Sequence, residues 1–181
     1  GDYVGETYFQ IDGAGLTYYD ATNGGAARIN YSDGSFTVDS GFDNHPVTFA
    51  SWYGSMAFAS YYGWRLPTEW EWQAVADYDG SYTYGSGASI NNSTANYNGS
   101  IHPDGTTIVG SFGSYGYGMA DMSGNLWEWT ESCYYAGCSS SLRVLRGGTW
   151  YSNDTDCDVS NRGRNPASDL GYALGFRVAK D

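Results

Sequence analysis

Residues 79–118 are the part of the sequence that most limits how this chain can fold. They are rich in Gly, Ser, Asn and Tyr and follow neither the helical nor the strand period of apolar residues. Such a long irregular stretch is uncommon inside a compact domain unless it is functional or pinned by a ligand. The sequence therefore predicts a loop-rich domain in which something holds this segment in place.

Two helices are expected before the irregular stretch. From Ser51 onward apolar side chains recur at helical spacing until Gly63, which supplies the usual stop. Thr68, followed three positions later by Glu71, forms a capping box in which each residue satisfies a free N–H group of the first helical turn. The second helix is predicted over residues 69–78.

Short alternating or aliphatic runs between Gly-rich turns are expected to form strands. They are Glu6–Ile11 and Ala27–Tyr31 near the N-terminus, and Leu126–Trp129, Arg143–Arg146 and Gly175–Val178 towards the C-terminus. Two helices combined with many short strands indicate an α+β domain. At 181 residues, the chain is expected to form a single domain over 1–181.

The charge of the chain excludes several classes of partner. There are 8 basic and 20 acidic residues, a formal charge of −12, and the single Lys is Lys180. Binding along a phosphate backbone needs clustered Lys and Arg, so nucleic acid is not expected as a partner. No run approaches the roughly 18 apolar residues of a membrane span. A cationic partner or bound Ca²⁺ fits the charge better.

The three cysteines allow two interpretations. Cys133 and Cys138 enclose a loop short enough for a disulfide, and a pair of free thiols is equally compatible with the spacing. A zinc site is less favoured, because His45 and His102 are the only histidines and neither stands in ligand spacing with the cysteines.

Four segments in a fixed order carry a family resemblance. They are Trp64–Trp72 (WRLPTEWEW), Asp121–Trp129 (DMSGNLWEW), Arg143–Trp150 (RVLRGGTW) and Gly175–Arg177 (GFR). Together they resemble the formylglycine-generating-enzyme (sulfatase-modifying factor) family over residues 45–179, and residues 1–44 match only loosely. The resemblance implies the C-type lectin-like fold of that subclass, with two helices, short antiparallel strands and long irregular loops.

The same resemblance bears on copper. In the family's oxidases, two cysteines five positions apart, just after the Gly-Gly-x-Trp segment, bind Cu(I) and the substrate thiol, because soft thiolates select that ion. Here the second position matches Cys157, but the first is Ser152. A hydroxyl is a poor ligand for Cu(I), so neither copper nor the oxidase activity is expected. An oxidase or related enzyme acting through Cys157 is the alternative.

The architecture also resembles the variable proteins of diversity-generating retroelements, which have this lectin-like fold and place diversified residues before a similar Gly-Phe-Arg ending. Residues 151–165 would correspond to the diversified region, and we call them the variable segment. Within it, Val159 and Arg162 would belong to the scaffold. Tyr, Ser, Asn and Gly are typical of paratopes; an ordinary polar loop is the alternative. The predicted ligand-binding residues are Tyr151, Ser152, Asn153, Asp154, Asp156, Asp158, Ser160, Asn161, Gly163 and Asn165.

Calcium is the expected cofactor by the same family resemblance. One site would use the side chains of Asp121 and Glu128 with the carbonyls of Gly124 and Leu126, and a second would use Asn96, the Tyr97 carbonyl and Asp104. Such hard oxygen ligands suit Ca²⁺, which would also pin the irregular stretch. The alternative is that Asp121 caps a turn and Glu128 pairs with an arginine such as Arg146 or Arg177.

These observations favour a non-enzymatic recognition protein that binds a protein or glycan ligand on a host or neighbouring cell. A location on a cell surface or virion is expected. Besides the enzyme, a second alternative is a structural module of a surface or virion protein that binds only its own assembly.

Overall fold

The computed structural model of the chain describes residues 3–4, 8–10, 15–21, 27–99 and 105–181. For residues 3–4 and 8–10 it describes the backbone only. The strands are β1 (Tyr3–Val4), β2 (Tyr8–Gln10), β3 (Thr17–Asp20), β4 (Ile29–Ser32), β5 (Ser35–Val38), β6 (Trp127–Cys133), β7 (Leu142–Arg146), β8 (Gly163–Pro166) and β9 (Leu174–Phe176). The helices are α1 (Trp52–Tyr61) and α2 (Glu69–Ala76), with single 3-10 turns at Ala136–Cys138 and Thr155–Cys157. The α+β class predicted from the sequence is confirmed.

Two small antiparallel units precede a central sheet. β1, β2 and β3 form a three-stranded sheet, and β4 pairs with β5 as a hairpin. Of the strand predicted over residues 6–11, β2 is observed, whereas Glu6, Thr7 and Ile11 lie outside the described residues. The central sheet has the order β8-β7-β6-β9, in which β6 and β9 alone are parallel.

The main core lies between α1 and the central sheet. Leu66, Trp129, Leu145 and Leu174 are buried together there. The buried indole of Trp129 donates a hydrogen bond to the Ala50 carbonyl over 3.0 Å, so its polar edge is satisfied as well. This packing fixes the end of the sheet from which the variable segment extends.

Both predicted helices are present with the expected start signals. The Ser51 hydroxyl accepts a hydrogen bond from the first turn of α1, and Gly63 follows that helix with a φ of 69°. At α2 the capping box of Thr68 and Glu71 is complete. This helix ends two residues before the predicted limit, because Tyr78 adopts a left-handed φ of 50° that no helix can continue.

The irregular stretch is held by polar side chains of the turn that precedes β6. Each of these side chains accepts a hydrogen bond, between 2.7 and 3.0 Å long, from a different backbone N–H of the stretch. The pairs are Gly85 with Ser123, Thr107 with Asn125, and Gly110 with Asp121. The turn at residues 121–125 thus holds the irregular stretch at three points.

The cysteine question is resolved by the structure. Cys133 and Cys138 form a disulfide that closes the loop after β6, and Cys157 is a free, buried thiol. Within the described ranges, no helix is both long and apolar enough to cross a bilayer.

Candidate functional site

The variable segment leaves the sheet after β7 and returns to it as β8. Two buried side chains, Cys157 and Val159, anchor its middle to the domain. Their backbone is tied down too, since the Ser123 hydroxyl donates to the Cys157 carbonyl over 2.7 Å and the Val159 N–H donates to the Thr83 carbonyl over 2.9 Å. The segment is therefore a surface with its own internal anchors rather than a free loop.

The Gly-Gly pair of the third motif makes this anchoring feasible. Gly148 has a φ of 77°, and a Cβ atom built there would lie 2.7 Å from the sulfur of Cys157. Any other residue would be strained in its backbone and would collide with the anchor. The motif thus marks the point where the chain passes directly over Cys157.

Exposure divides the predicted ligand-binding residues into groups. The exposed ones are Tyr151, Asn153, Asp154 and Ser160, and the half-buried ones are Asp156, Asp158, Asn161, Gly163 and Asn165. Two half-buried residues are engaged locally. The Asp158 carboxylate accepts from the N–H and the hydroxyl of Ser160 over 2.7 and 2.6 Å, and the Asn161 amide donates to the Thr155 carbonyl over 3.0 Å. Whether these residues contact a ligand stays a prediction.

The assignment of Ser152 to the exposed set is wrong. Its side chain is only 5% exposed, because the chain turns back at Thr149 and the Ser152 hydroxyl accepts the Thr149 N–H over 3.1 Å. The Ser152 carbonyl is also used, accepting the Asn98 N–H over 2.8 Å. Ser152 joins the variable segment to the irregular stretch and belongs to the scaffold.

Two arginines support the far end of the segment. Arg162 forms a two-point ion pair with the buried Glu69 of α2, over 2.5 and 2.9 Å, which ties its guanidinium to the domain. Arg146 is fully buried and donates to the Asn161 carbonyl and to the Gln73 side chain. Burial lowers the pKa of Arg146 to about 10, which leaves the guanidinium charged at neutral pH.

A pocket of about 350 Å³ opens between β8 and residues 170–174. We call it the tyrosine pocket; its principal lining residues are Trp127, Leu145, Leu174, Gly163, Tyr151 and Tyr172. Gly163 shapes it, because a Cβ atom there would lie 3.3 Å from the Trp127 ring and 3.2 Å from the Leu145 side chain. This contact, rather than exposure, explains the presence of glycine at this predicted ligand-binding position.

Tyr172 was not among the predicted ligand-binding residues. It lies beyond the variable segment, yet its ring stands 5.8 Å from that of Tyr151, and both rings are about half exposed, at 51% and 46%. The only signal in the sequence is a tyrosine beside a glycine just before the Gly-Phe-Arg ending. Partial burial, the contact with Tyr172 and the charge of Asp156 raise the pKa of Tyr151, which is therefore neutral at physiological pH.

The chain holds one free thiol, because the other two cysteines form the disulfide. Cys157 is completely buried, and desolvation raises its pKa to about 12. Nucleophilic attack and soft-metal binding both need the thiolate. With a single, neutral thiol, the residues present do not fit a Cu(I) site with two sulfur ligands.

The turn at Asp121–Glu128 does not fit the expected calcium site. Both oxygens of Glu128 are engaged by the Arg177 guanidinium at 2.5 and 2.6 Å, and one also accepts the Trp72 indole N–H at 2.6 Å. Asp121 caps the Gly110 N–H, and burial raises the pKa of its carboxyl. The alternative interpretation, a capped turn with an arginine pair, describes the observed arrangement.

The remaining expected calcium ligands cluster beside this turn. Gly124 and Leu126 are buried, and the Asn96 carbonyl accepts the Asn125 N–H over 2.8 Å, so the two expected sites adjoin. A Cβ atom on Gly124 would lie 2.3 Å from the Asn96 carbonyl oxygen, so the close approach needs glycine there. Within the described ranges, no three His, Cys, Asp or Glu side chains gather as a metal site.

Asn96 is the residue here that fits a cation. Its side chain is 1% exposed; the amide nitrogen donates to the Gly105 carbonyl over 3.2 Å, but its Oδ1 has no hydrogen-bond partner among the described residues. A buried carbonyl oxygen without a donor is costly unless water or an ion satisfies it. Tyr97 is half-buried beside it, and the third expected ligand, Asp104, lies outside the described residues.

Comparison with known proteins supplies the family. A family model for the sulfatase-modifying factor enzyme 1-like domain matches residues 6–181. Serine/threonine-protein kinase pkn1 of Chlamydia caviae is 35% identical over a 171-position alignment that covers 85% of this chain and 27% of the kinase. The solved structure of Treponema denticola variable protein 1 superposes with a TM-score of 0.68 at 22% identity, covering 78% of this chain and 74% of that chain.

Relatives named for the formylglycine reaction occur in both active and inactive form. The formylglycine-generating enzyme of Streptomyces coelicolor is 30% identical over 178 residues, covering 82% of this chain and 57% of the enzyme. Inactive C-alpha-formylglycine-generating enzyme 2 of Bos taurus is 31% identical over 151 residues, covering 74% of this chain and 50% of that protein. The chain thus spans from about a quarter to little more than half of these relatives, and membership does not by itself imply activity.

The matches confirm the α+β, C-type lectin-like fold of the formylglycine-generating-enzyme subclass that the four motifs predicted. With the family match covering almost the whole sequence, the chain belongs to the sulfatase-modifying factor (formylglycine-generating enzyme) family.

Proposed function

We propose that this protein is a non-enzymatic recognition protein of the type found in diversity-generating retroelements, in which the variable segment presents diversified side chains to a ligand. One observation carries the proposal: buried anchors alternate with exposed positions in this segment. Cys157 and Val159 hold it to the domain, while Asn153, Asp154 and Ser160 are exposed on its surface. Exposed side chains can then vary while the anchors preserve the backbone.

The chemistry of the chain's single free thiol supports a binding function over catalysis. A buried Cys157 with a pKa of about 12 supplies neither a nucleophile nor a thiolate ligand at neutral pH. Ser152, at the position where the family resemblance implies the other copper-binding cysteine, uses its hydroxyl to close the turn at Thr149. We therefore propose that no copper is bound.

The exposed surface suits a macromolecular ligand. Tyr151 and Tyr172 provide rigid aromatic contact area, and the neighbouring Asn, Ser and Asp side chains provide adaptable hydrogen bonds. The proposed ligand is a protein or glycan on a host or neighbouring cell, and the proposed location of this protein is a cell surface or virion. Because a handful of residues dominates the free energy of binding at an interface, variation at the exposed positions can alter specificity.

A display experiment tests the proposal. A library randomised at Asn153, Asp154 and Ser160 is compared with a matched library randomised at the anchors Cys157 and Val159. Most members of the first are expected to fold, with losses of about 1–2 kcal/mol because Asn153 and Asp154 accept the N–H groups of Asp156 and Thr155, and binders to host-cell surface proteins or glycans should be selectable from it. Most members of the second should fail to fold. If both libraries unfold alike, or if the first yields no binders, the recognition function is wrong.

A direct assay separates the enzyme alternative. The purified protein is incubated with Cu(I), oxygen and a cysteine-containing peptide, with a Cys157→Ala variant as the matched control. The variant is used only if its circular dichroism spectrum matches that of the unmodified protein. We expect no aldehyde product from either protein and no difference in copper affinity between them. Turnover by the unmodified protein that disappears in the variant would establish the oxidase instead.

We also propose a structural Ca²⁺ ion bound by Asn96 with the Tyr97 carbonyl and Asp104. The unpartnered Oδ1 of Asn96 and the acidic charge of the chain support it. Chelation should lower the melting temperature and added Ca²⁺ should restore it, whereas Mg²⁺ should not, because it demands a tighter octahedral shell. An unchanged melting curve would show that no structural Ca²⁺ ion is bound.

A further inference from the structure

The tyrosine pocket combines an apolar floor with an aromatic wall. Trp127, Leu145 and Leu174 form the inner surface, and the rings of Tyr151 and Tyr172 stand at its mouth, 5.8 Å apart. The Trp150 ring packs behind both tyrosines, 4.9 Å from Tyr151 and 6.3 Å from Tyr172, and so supports them. Such a cluster of rings attracts a positive charge, because the face of each ring is negative.

The variable segment beside the pocket is acidic. Asp156 lies outside the pocket lining and accepts the Asn161 amide over 3.4 Å, and its charge is the smallest of the causes that raise the pKa of Tyr151. Asp154 and Asp158 flank Asp156 in the same segment, and the chain as a whole carries a charge of −12. A field of this sign raises the local concentration of cations and speeds their encounter with the surface.

The one cationic residue of the pocket lining is turned away from it. Arg164 faces the disulfide loop, where its guanidinium lies 4.8 Å from the Tyr134 ring centroid and donates to the Tyr135 hydroxyl over 3.3 Å. Strand alternation agrees, because Arg164 stands opposite the buried Val144, while Gly163 stands opposite Leu145 on the pocket side. The guanidinium therefore does not neutralise the mouth of the pocket.

We propose that the tyrosine pocket binds the cationic end of a Lys or Arg side chain carried by a protein ligand, an inference that rests on the recognition function proposed above. The apolar floor would contact the aliphatic stem of that side chain, and the two tyrosine rings would hold the charge, with the acidic variable segment adding a favourable field. A volume of about 350 Å³ falls within the range of pockets that enclose small ligand groups.

Small amides of single amino acids test this proposal without knowledge of the natural ligand. N-acetyl-lysine amide and N-acetyl-arginine amide are titrated by NMR, with N-acetyl-norleucine amide as a neutral control of similar shape. We expect the cationic probes to bind about three- to tenfold more tightly than norleucine amide, and the difference to shrink at high salt. Equal affinity for the neutral probe would overturn the proposal.

Variants separate a ring effect from simple packing. Tyr172→Phe keeps the ring and should retain binding, whereas Tyr172→Leu keeps apolar volume without the ring and should lose about three- to tenfold in affinity. Asp156→Asn should lose about twofold. Tyr61→Leu is the matched control, since Tyr61 is a highly exposed tyrosine on α1 outside the pocket lining. Unchanged affinity in both Tyr172→Leu and Asp156→Asn would overturn the proposal.

Two further arms identify the source of the cation and separate the two proposals. If glucosamine binds more tightly than both amino acid amides, the cation belongs to a glycan and the protein-ligand proposal is wrong. If the display library yields binders whose ligands place no basic side chain in the pocket, only the present proposal fails. If that library yields no binders, the recognition function fails with it.

Discussion

Replacing Asn125 by Ala should destabilise the domain by removing the central attachment of the irregular stretch. The Asn125 side chain accepts the Thr107 N–H over 3.0 Å, donates to the Thr107 carbonyl over 3.3 Å and contacts the Asn96 amide over 3.4 Å. All three residues are buried, so water cannot replace the lost bonds. Leaving a buried polar group unsatisfied costs about 1–3 kcal/mol.

The backbone adds a second cost. Asn125 has a φ of 66°, a left-handed conformation that Asn tolerates and that costs Ala about 1–2 kcal/mol. Together the two costs give an expected loss for Asn125→Ala of about 2–5 kcal/mol, a large share of the about 5–15 kcal/mol that stabilises a typical domain. Asn125→Gly removes the same bonds without the backbone strain. Its free energy of unfolding should therefore be about 0.5–1 kcal/mol higher than that of Asn125→Ala.

Urea denaturation followed by tryptophan fluorescence measures both variants, and amide hydrogen exchange locates the effect. Protection should fall mainly in residues 79–118, before the helices are affected. A loss below about 1 kcal/mol in Asn125→Ala, or a loss of protection spread evenly over the domain, would refute the reasoning that this side chain holds the stretch.

Three further predictions concern titratable groups. Hydrogen bonds from Arg65 lower the pKa of Glu71 from 4.5 to about 2. The stability that Glu71 contributes is therefore present above pH 4.5 and is lost as the pH falls towards 2. Glu71→Gln should flatten this part of the curve of unfolding free energy against pH. Burial raises the pKa of Asp121 above 3.8, so Asp121→Asn should be more stable than the unmodified protein at pH 7. This advantage should disappear below pH 3.8. Equal stabilities of the two proteins at pH 7 would contradict the prediction. Iodoacetamide should leave Cys157 unmodified in the folded protein at pH 8 and alkylate it in urea, as mass spectrometry would detect.

Local signals in the sequence predicted the helices and the fold class well. The capping box of Thr68 and Glu71 depends on residues three positions apart, and such short-range hydrogen bonds form without tertiary contacts. The ordered motifs predicted the fold for a related reason: Gly148 is required where the chain passes over Cys157, and a residue with such a steric requirement stands out in a sequence.

Long-range contacts limited what could be predicted of the site. Glu128 could bind an ion or an arginine, and only the fold brings Arg177, 49 positions away, within 2.5 Å of it. Ser152 was assigned to the surface because its neighbours are polar, but a turn specific to this structure buries it. Tyr172 was missed because it lies outside the segment that the family resemblance singled out.

Sequencing the locus that encodes this chain decides whether the variable segment is diversified. We expect a nearby reverse transcriptase gene and a near-identical template repeat whose differences fall at adenines. Those differences should alter codons of exposed residues such as Asn153, Asp154 and Ser160, and should spare those of Cys157 and Val159. The absence of such a repeat, or differences concentrated in the codons of the anchors, would contradict this expectation.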